Sequence, residues 1–513
     1  MDLKILLDKD SQTPLYLQIH EQIVSLVRDG LLAPGERISS VRNLAKDLDV
    51  SVTTVFNAYD MLAAENIIER RSGSGTYITE HPEIVLGSNL RTREETIAAQ
   101  QNRIPLEWDK LTNPFEYFGM PRSRKYGSSV ISFSHLYPEP SLFPFDRIKQ
   151  VATSMLWNPQ EFFFDIGHPQ GYQPLVEHLE KEMALAGIPM AEGQNDIIIT
   201  GGFQRALSLI LDFIVRPGQK VAIESPSYSN LLNLLIAKHI DYLPVPVDSE
   251  GMDTEFLATA MARGEVCAVI CTPDFHNPTG ICMSRERREH LLRLAMQHRV
   301  PILEDDQGRK LRFEGEDNPP LKSMDYGGYV IHASSYGMCF LPGLPIAWVT
   351  TPAAISAPLL DAKLAADRGD SYFLHVLMHN FIVKGHFDRH IRKSQREYKR
   401  RRDAMVETLS KYLPSECRYR VPQGGFTIWL ELPQPMNSMK VLEHSRRAGV
   451  DFVPAPIVMP DRKDCNCLRL SYSRNGVEDI RSGIRTLCDV IRSCVDNPDL
   501  MEGPEMKYED LLK

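Results

Sequence analysis

Arginines and short polar side chains in the first 80 residues stand in an order that suits contact with nucleic acid. Thr53, Thr54 and Asn57, at the start of a helix, reach base edges or phosphates from a groove. Arg37, Arg42, Arg70 and Arg71 flank that helix in sequence and can neutralise phosphates. Ser40 and Ser51 at helix starts, and Gly73 and Gly75 in a turn, complete the candidate DNA-binding set. Metal chemistry finds no comparable set. Nine cysteines are scattered from Cys267 onward, and Cys465-Asn466-Cys467 is a close pair without a second pair or a histidine cluster. The odd, late distribution also argues against a disulfide framework.

These side chains need elements to hold them. Apolar residues Leu15, Ile19, Ile23 and Leu26 recur at helical spacing, with Pro14 to begin the helix and Gly30 to stop it. Pro34-Gly35 forces a turn. Ser39 or Ser40 caps a second helix reaching Leu48, and Ser51 caps a third from Val52 to about Glu65. The connection between them is the few residues of a helix-turn-helix. Residues 67–78 then read as a hairpin around a Ser/Gly turn, with Arg70 and Arg71 at its base. Three helices and a hairpin predict a winged helix; a helical dimerisation module with a solvated hairpin is the alternative. Overall charge gives no help, because the chain carries −9 and residues 1–80 hold 8 Lys and Arg against 12 Asp and Glu. Any positive surface for DNA must therefore be local.

The runs Pro34-Gly35-Glu36-Arg37-Ile38-Ser39-Ser40-Val41-Arg42, Val50-Ser51-Val52-Thr53-Thr54-Val55-Phe56-Asn57 and Gly73-Ser74-Gly75-Thr76-Tyr77 resemble the GntR-type winged helix. The resemblance covers residues 12–80 and implies binding to double-stranded operator DNA. Val52 stands where that family usually has an arginine, which removes one implied DNA contact.

A chain of 513 residues exceeds one hydrophobic core. With 43% hydrophobic and 24% charged residues it has the composition of a folded globular protein. Its apolar runs fall short of the roughly 18 residues that span a bilayer. Met1-Asp2-Leu3-Lys4 lacks the layout of a signal peptide, so the expected compartment is the cytoplasm, with no membrane partner. Residues 81–130 read as a linker with one helix at 92–103. Beyond it, β runs at 197–200, 221–224, 267–271, 301–304 and 329–332 alternate with helical stretches such as 204–215 and 230–237. This alternation predicts an α/β domain with a mostly parallel sheet and ligands at the strand ends.

Gly201-Gly202-Phe203-Gln204, Glu224-Ser225-Pro226-Ser227-Tyr228, Thr272-Pro273-Asp274-Phe275-His276-Asn277-Pro278-Thr279-Gly280, Glu304-Asp305-Asp306, Leu341-Pro342-Gly343-Leu344 and Leu468-Arg469-Leu470 occur in that order. The series resembles the fold-type-I aminotransferase domain. Joined to a GntR-type winged helix, it is similar to the MocR-type regulators. The fold class implied is multidomain: an N-terminal winged helix-turn-helix at 12–80, a linker at 81–130, and an α/β fold-type-I pyridoxal-phosphate-dependent-transferase-like domain at 131–495. A tail follows at 496–513. By the resemblance, N–H groups of Gly202, Phe203 and Gln204 face a phosphate. Tyr228 stacks on a pyridine ring, Asn277 donates to its 3-oxygen, Asp305 holds the ring nitrogen protonated, and Ser335 belongs to the same site. Arg469 grips a ligand carboxylate.

Three positions break the pattern. Met338 occupies the place of the lysine that forms the cofactor imine, and methionine has no amine. Pro345 occupies the place of a phosphate-binding arginine and offers neither charge nor N–H. Gln307 replaces a tyrosine. No lysine lies between Lys322 and Lys363, so no shift of register restores one. The implied function is a transcriptional regulator whose aminotransferase-like domain senses a small-molecule effector, such as an amino or keto acid, or dimerises without turnover. A homodimer is implied, with each winged helix free to cross to the partner's large domain. No covalent cofactor and no metal are expected. The alternatives are an active pyridoxal-phosphate aminotransferase, or a regulator that binds pyridoxal phosphate non-covalently.

Overall fold

In a computed structural model of the chain, residues 5–8, 11, 13–71, 74–80, 130–157, 167–367 and 369–502 are described. They fall into two compact units divided after Asn113. The helix expected at 92–103 and the linker at 81–130 lie, but for Val130, outside the described residues.

In the first unit, helix Leu15–Arg28 buries Ile19 and Ile23 as its spacing predicts, but His20 and Val27 complete the buried stripe while Leu15 and Leu26 are only half-buried. Gly30, at φ +70°, turns the chain out of it. Helices Val41–Asp47 and Val52–Ala64 start at Ser40 and Ser51, whose hydroxyls accept from the backbone N–H of Asn43 at 3.3 Å and Thr54 at 3.1 Å. Tyr59 donates its phenol to the Ser39 carbonyl at 2.7 Å, fixing the third helix against the start of the second. Ile19, Ile23, Leu44, Val55, Leu62, Ile68 and Ile78 close one small core. Strands Ile68–Arg71 and Gly75–Ile78 form the expected hairpin. Arg37–Ile38 adds a third strand against Gly75–Ile78, pairing Arg37 with Tyr77.

The second unit is built on an eight-stranded sheet. Across it run Asn195–Thr200, Ala347–Pro352, Val330–Ser335, Ile302–Asp305, Ala268–Cys271, Lys220–Ser225, Asp241–Asp248 and Gly251–Met252. The five strands from Val330–Ser335 to Asp241–Asp248 are parallel, and their apolar runs are buried by helices on both faces. Ala347–Pro352 is antiparallel to both its neighbours, so the sheet is mixed. A separate four-stranded antiparallel sheet contains Thr427–Glu431 and Cys467–Ser471, and Arg469 lies on the latter. Among the described residues no helix is long and apolar enough to cross a membrane. No group of three or more His, Cys, Asp or Glu is placed to hold a metal ion there.

Candidate functional site

On the first unit, capping divides the residues of the third helix between two tasks. The Thr54 hydroxyl lies 2.8 Å from Ser51 Oγ, so both are engaged at the helix start, whereas Thr53 and Asn57 are exposed. Arg37 and Arg42 are exposed as well. Arg37 lies over the wing: a Cβ on Gly75, at φ +130°, would stand 2.9 Å from its Nε. The positive φ favours glycine there, while the exposed arginine could move aside. Gly73 lies outside the described residues. Arg70 is 3.6 Å from Asp60 and stacks over Phe56, 5.0 Å from the ring centre. Arg71 pairs with Glu69 at 2.5 Å and lies over Tyr77. The wing arginines are thus attached to neighbouring acids, in exposed pairs worth about 0–1 kcal/mol each. Sequence reasoning took Val52 only as a lost contact and missed Phe56; the two are 52% and 46% exposed on the same helix. Their signal was available, since both fall outside the apolar stripe Val55, Ala58, Tyr59 and Leu62. Such side chains suit the methyl group of thymine.

The second unit holds a cavity of about 200 Å³ where the parallel strands end. Gly202 and Phe203 follow Asn195–Thr200, Thr272 and Asn277 follow Ala268–Cys271, and Asp305 and Ser335 are the last residues of their strands. These residues line it together with Tyr228, Met338 and Pro345. Gln307, expected in place of a tyrosine, lines it too, and Leu136, Tyr137, Asp274 and Phe275 are further lining residues to which the sequence reading gave no role. Two expected residues stand behind the wall. Gln204 turns its amide to the Asn230 carbonyl at 2.7 Å. Arg469, 6% exposed, donates Nη1 to Asn277 Oδ1 at 3.1 Å and Nη2 to the Ser134 carbonyl at 2.6 Å. Each terminal nitrogen makes one bond to protein, Nε is buried without a hydrogen-bond partner among the described residues, and burial lowers the guanidinium to about 10.

Burial also sets the protonation of the wall. It pushes the Asp305 carboxyl up to about 7, although Oδ1 accepts the Gln307 N–H at 3.1 Å. Gln307 in turn receives the Ser335 hydroxyl on Oε1 at 2.7 Å. Burial pushes Glu224 well up and His276 down to about 3, and the two lie 3.3 Å apart beside the wall. Among the described residues, those that line the cavity include no Lys, Arg or His. Pro345 sits at the phosphate end proposed by resemblance: a Cβ on Gly202, at φ +106°, would lie 3.1 Å from the Pro345 Cβ.

Phe275 has the left-handed φ of +53°, a strained state for an aromatic residue. Its ring fills space that only glycine leaves. A Cβ on Gly424 would stand 2.3 Å from its Cζ, and one on Gly425 would stand 2.8 Å from its Cβ.

Comparison with known proteins agrees with both units. Residues 15–78 match the model for bacterial regulatory proteins of the gntR family, and residues 163–475 match aminotransferase class I and II. The chain is 27% identical over 479 residues to the uncharacterized HTH-type transcriptional regulator YdfD of Bacillus subtilis, covering 93% of this chain and 96% of that protein. It is 31% identical over 371 residues to aromatic-amino-acid aminotransferase 1 of Thermococcus litoralis, covering 71% and 88%. Among solved structures it is similar to Pyrococcus horikoshii kynurenine aminotransferase, with 31% identity, a TM-score of 0.68, and coverage of 71% and 91%. With the aminotransferase model spanning more than half of the residues and the gntR model filling the N-terminal unit, the chain belongs to the aminotransferase class I and II family and has the MocR-type architecture of a GntR-type regulator.

Proposed function

We propose that the protein is a sequence-specific DNA-binding regulator whose aminotransferase-like domain senses a small molecule and dimerises without turnover. The observation that carries this reading is the cavity wall: Met338 and Pro345 line it, and among the described residues no cation does. Pyridoxal phosphate needs an amine for its aldehyde and a counter-charge for its phosphate. The residues present do not fit it as a covalent cofactor, and a charge-assisted contact worth roughly 1.5–3 kcal/mol is missing at the phosphate end. The winged helix supports the other half of the reading through Arg37, Arg42, Thr53 and Asn57, all exposed together with the wing arginines. Ser40 and Ser51 act by holding the helix starts.

The test is direct. Purified protein supplied with pyridoxal phosphate, an amino acid and a keto acid should give no transamination. Borohydride should leave no pyridoxyl group on any residue of the cavity, as read by peptide mass mapping. Turnover, or a reduced adduct in the cavity, sinks the proposal.

A further inference from the structure

A cationic face runs along helix His386–Tyr412 of the second unit and shares no lining residue with the cavity. The helix buries Phe387, His390, Ser394, Tyr398 and Met405, at the steps of an inward stripe. Arg389, Lys393, Arg396 and Arg400 recur at three- and four-residue steps on the outer side, with Arg392 beside them, and all five are exposed. Arg389, Arg392, Lys393 and Arg396 line one groove with Arg312. Glu314, the one acid of that groove among the described residues, is taken up by Arg402 at 2.6 Å and Lys399 at 3.2 Å. The cations in front of it are uncompensated. Arg392 and Arg396 have no ion-pair partner among the described residues. Lys393 reaches the Leu142 carbonyl at 3.5 Å, and Arg389 donates to the carbonyls of Lys384 and Gly385 at 2.9 Å. Burial, and then the charges of Arg389, Arg147 and Lys384, push the His386 imidazole below its ordinary range. Like charges at this spacing repel one another, so the arrangement suits an anionic partner. In a chain of net charge −9 it is no by-product of a basic composition.

We propose that this face binds the phosphate backbone of duplex DNA, as a second contact beyond that of the winged helix and without sequence preference. From Arg389 to Arg400 the helix advances about 16 Å at 1.5 Å per residue. That is the axial length of about five phosphates of one strand. A small phosphorylated metabolite would meet one or two of these cations and leave the others repelling. Long cationic side chains neutralise phosphates and release counterions, which adds affinity but reads no base. The inference rests on the reading of the protein as a DNA-binding regulator, and it gives part of that affinity to the domain assigned to sensing.

The probe is a fluorescent random-sequence duplex of about 60 base pairs, titrated with the full chain from about 50 to 200 mM salt. Arg392→Gln, Lys393→Gln and Arg396→Gln together should reduce the slope of log affinity against log salt by about 3, and weaken binding at the lowest salt at least tenfold. Tm should stay unchanged, since all three side chains are exposed. Arg392→Gln with Arg396→Gln alone should remove about 2 of the 3. Arg392→Lys with Arg396→Lys keeps both charges and should preserve the slope. Arg42→Ala with Arg70→Ala strips the winged helix instead, and its loss should add to that of the triple variant. A triple variant with the full slope, or a lysine variant that loses as much as the glutamine one, overturns the proposal. Tripolyphosphate that binds the face while the duplex slope stays unchanged would assign it to a small polyanion, and overturns it as well. An unchanged slope in the winged-helix variant would count against the regulator reading alone.

Discussion

Met338 and Pro345 line one cavity, so restoring either alone leaves the other defect in place. Met338→Lys together with Pro345→Arg should create a yellow, borohydride-reducible pyridoxal adduct. Met338→Lys alone should need on the order of tenfold more cofactor, for want of one charge-assisted contact. Absorbance titration distinguishes the two. Asp305 has a different consequence, because its carboxyl is raised from 3.8 to about 7 by burial. Below pH 4 it is protonated whether the chain is folded or not, and it costs nothing. As pH rises to 7 the unfolded chain gains from ionisation that the folded chain resists, so stability falls across that window. Asp305→Asn should therefore raise Tm at pH 8, through a stabilisation on the order of 4 kcal/mol at most, and the gain should all but vanish near pH 4. A gain that is the same at both pH values would show that ionisation is not its cause. On the DNA face, Arg42→Ala with Arg70→Ala should weaken binding to all sequences and reduce the salt slope by about 2. The weak contact of Arg70 with Asp60 at 3.6 Å does not prevent its transfer to a phosphate. Unchanged affinity in gel retardation would remove the assignment.

The helices of the first unit depend on their caps. Ser51→Ala removes the acceptor for the Thr54 N–H and the partner of the Thr54 hydroxyl, and should cost about 1 kcal/mol. Thermal unfolding of the full chain would show this as an earlier loss in the winged unit, with the larger unit unaffected. The caps were legible from sequence because serine, a polar break and an apolar repeat follow each other within a few residues. The same holds for the buried parallel strands, which read as short unbroken apolar runs. Arg37–Ile38 escaped notice because two residues carry no period, and its pairing with Gly75–Ile78 is set by the turn at Gly35. Ala347–Pro352 has the composition of any buried strand, so its antiparallel direction is a property of the connection rather than of its residues. The resemblance to the fold-type-I domain pointed in advance to six residues that line the cavity: Gly202, Phe203, Tyr228, Asn277, Asp305 and Ser335. The position of Arg469 behind Asn277 depends on a contact across 192 residues and leaves no local trace.

At the scale of the molecule, the two units share a chain but have separate cores. The aminotransferase domain is the proposed site of dimerisation. A mass measured by light scattering at micromolar concentration should be twice the 58.2 kDa of the chain, and a monomeric mass would count against it. Within the larger unit, the lodged ring of Phe275 gives the cavity a mechanical reach beyond its own wall. Phe275 lines the cavity, yet Gly424 and Gly425 belong to the turn that enters Thr427–Glu431 in the second sheet. That turn is tied to Arg309–Leu311 by the Gly425 N–H on the Leu311 carbonyl at 3.2 Å, and to Tyr472, whose phenol donates to Gly424 at 2.9 Å. The ring therefore works as a tenon in a mortise cut by two glycines: a ligand that displaces it must move the turn, and a push on the turn must move the cavity wall. A methyl group added by Gly424→Ala would stand 2.3 Å from the Phe275 Cζ and transmit such a push, and thermal denaturation should show the larger unit unfolding at a lower temperature in consequence.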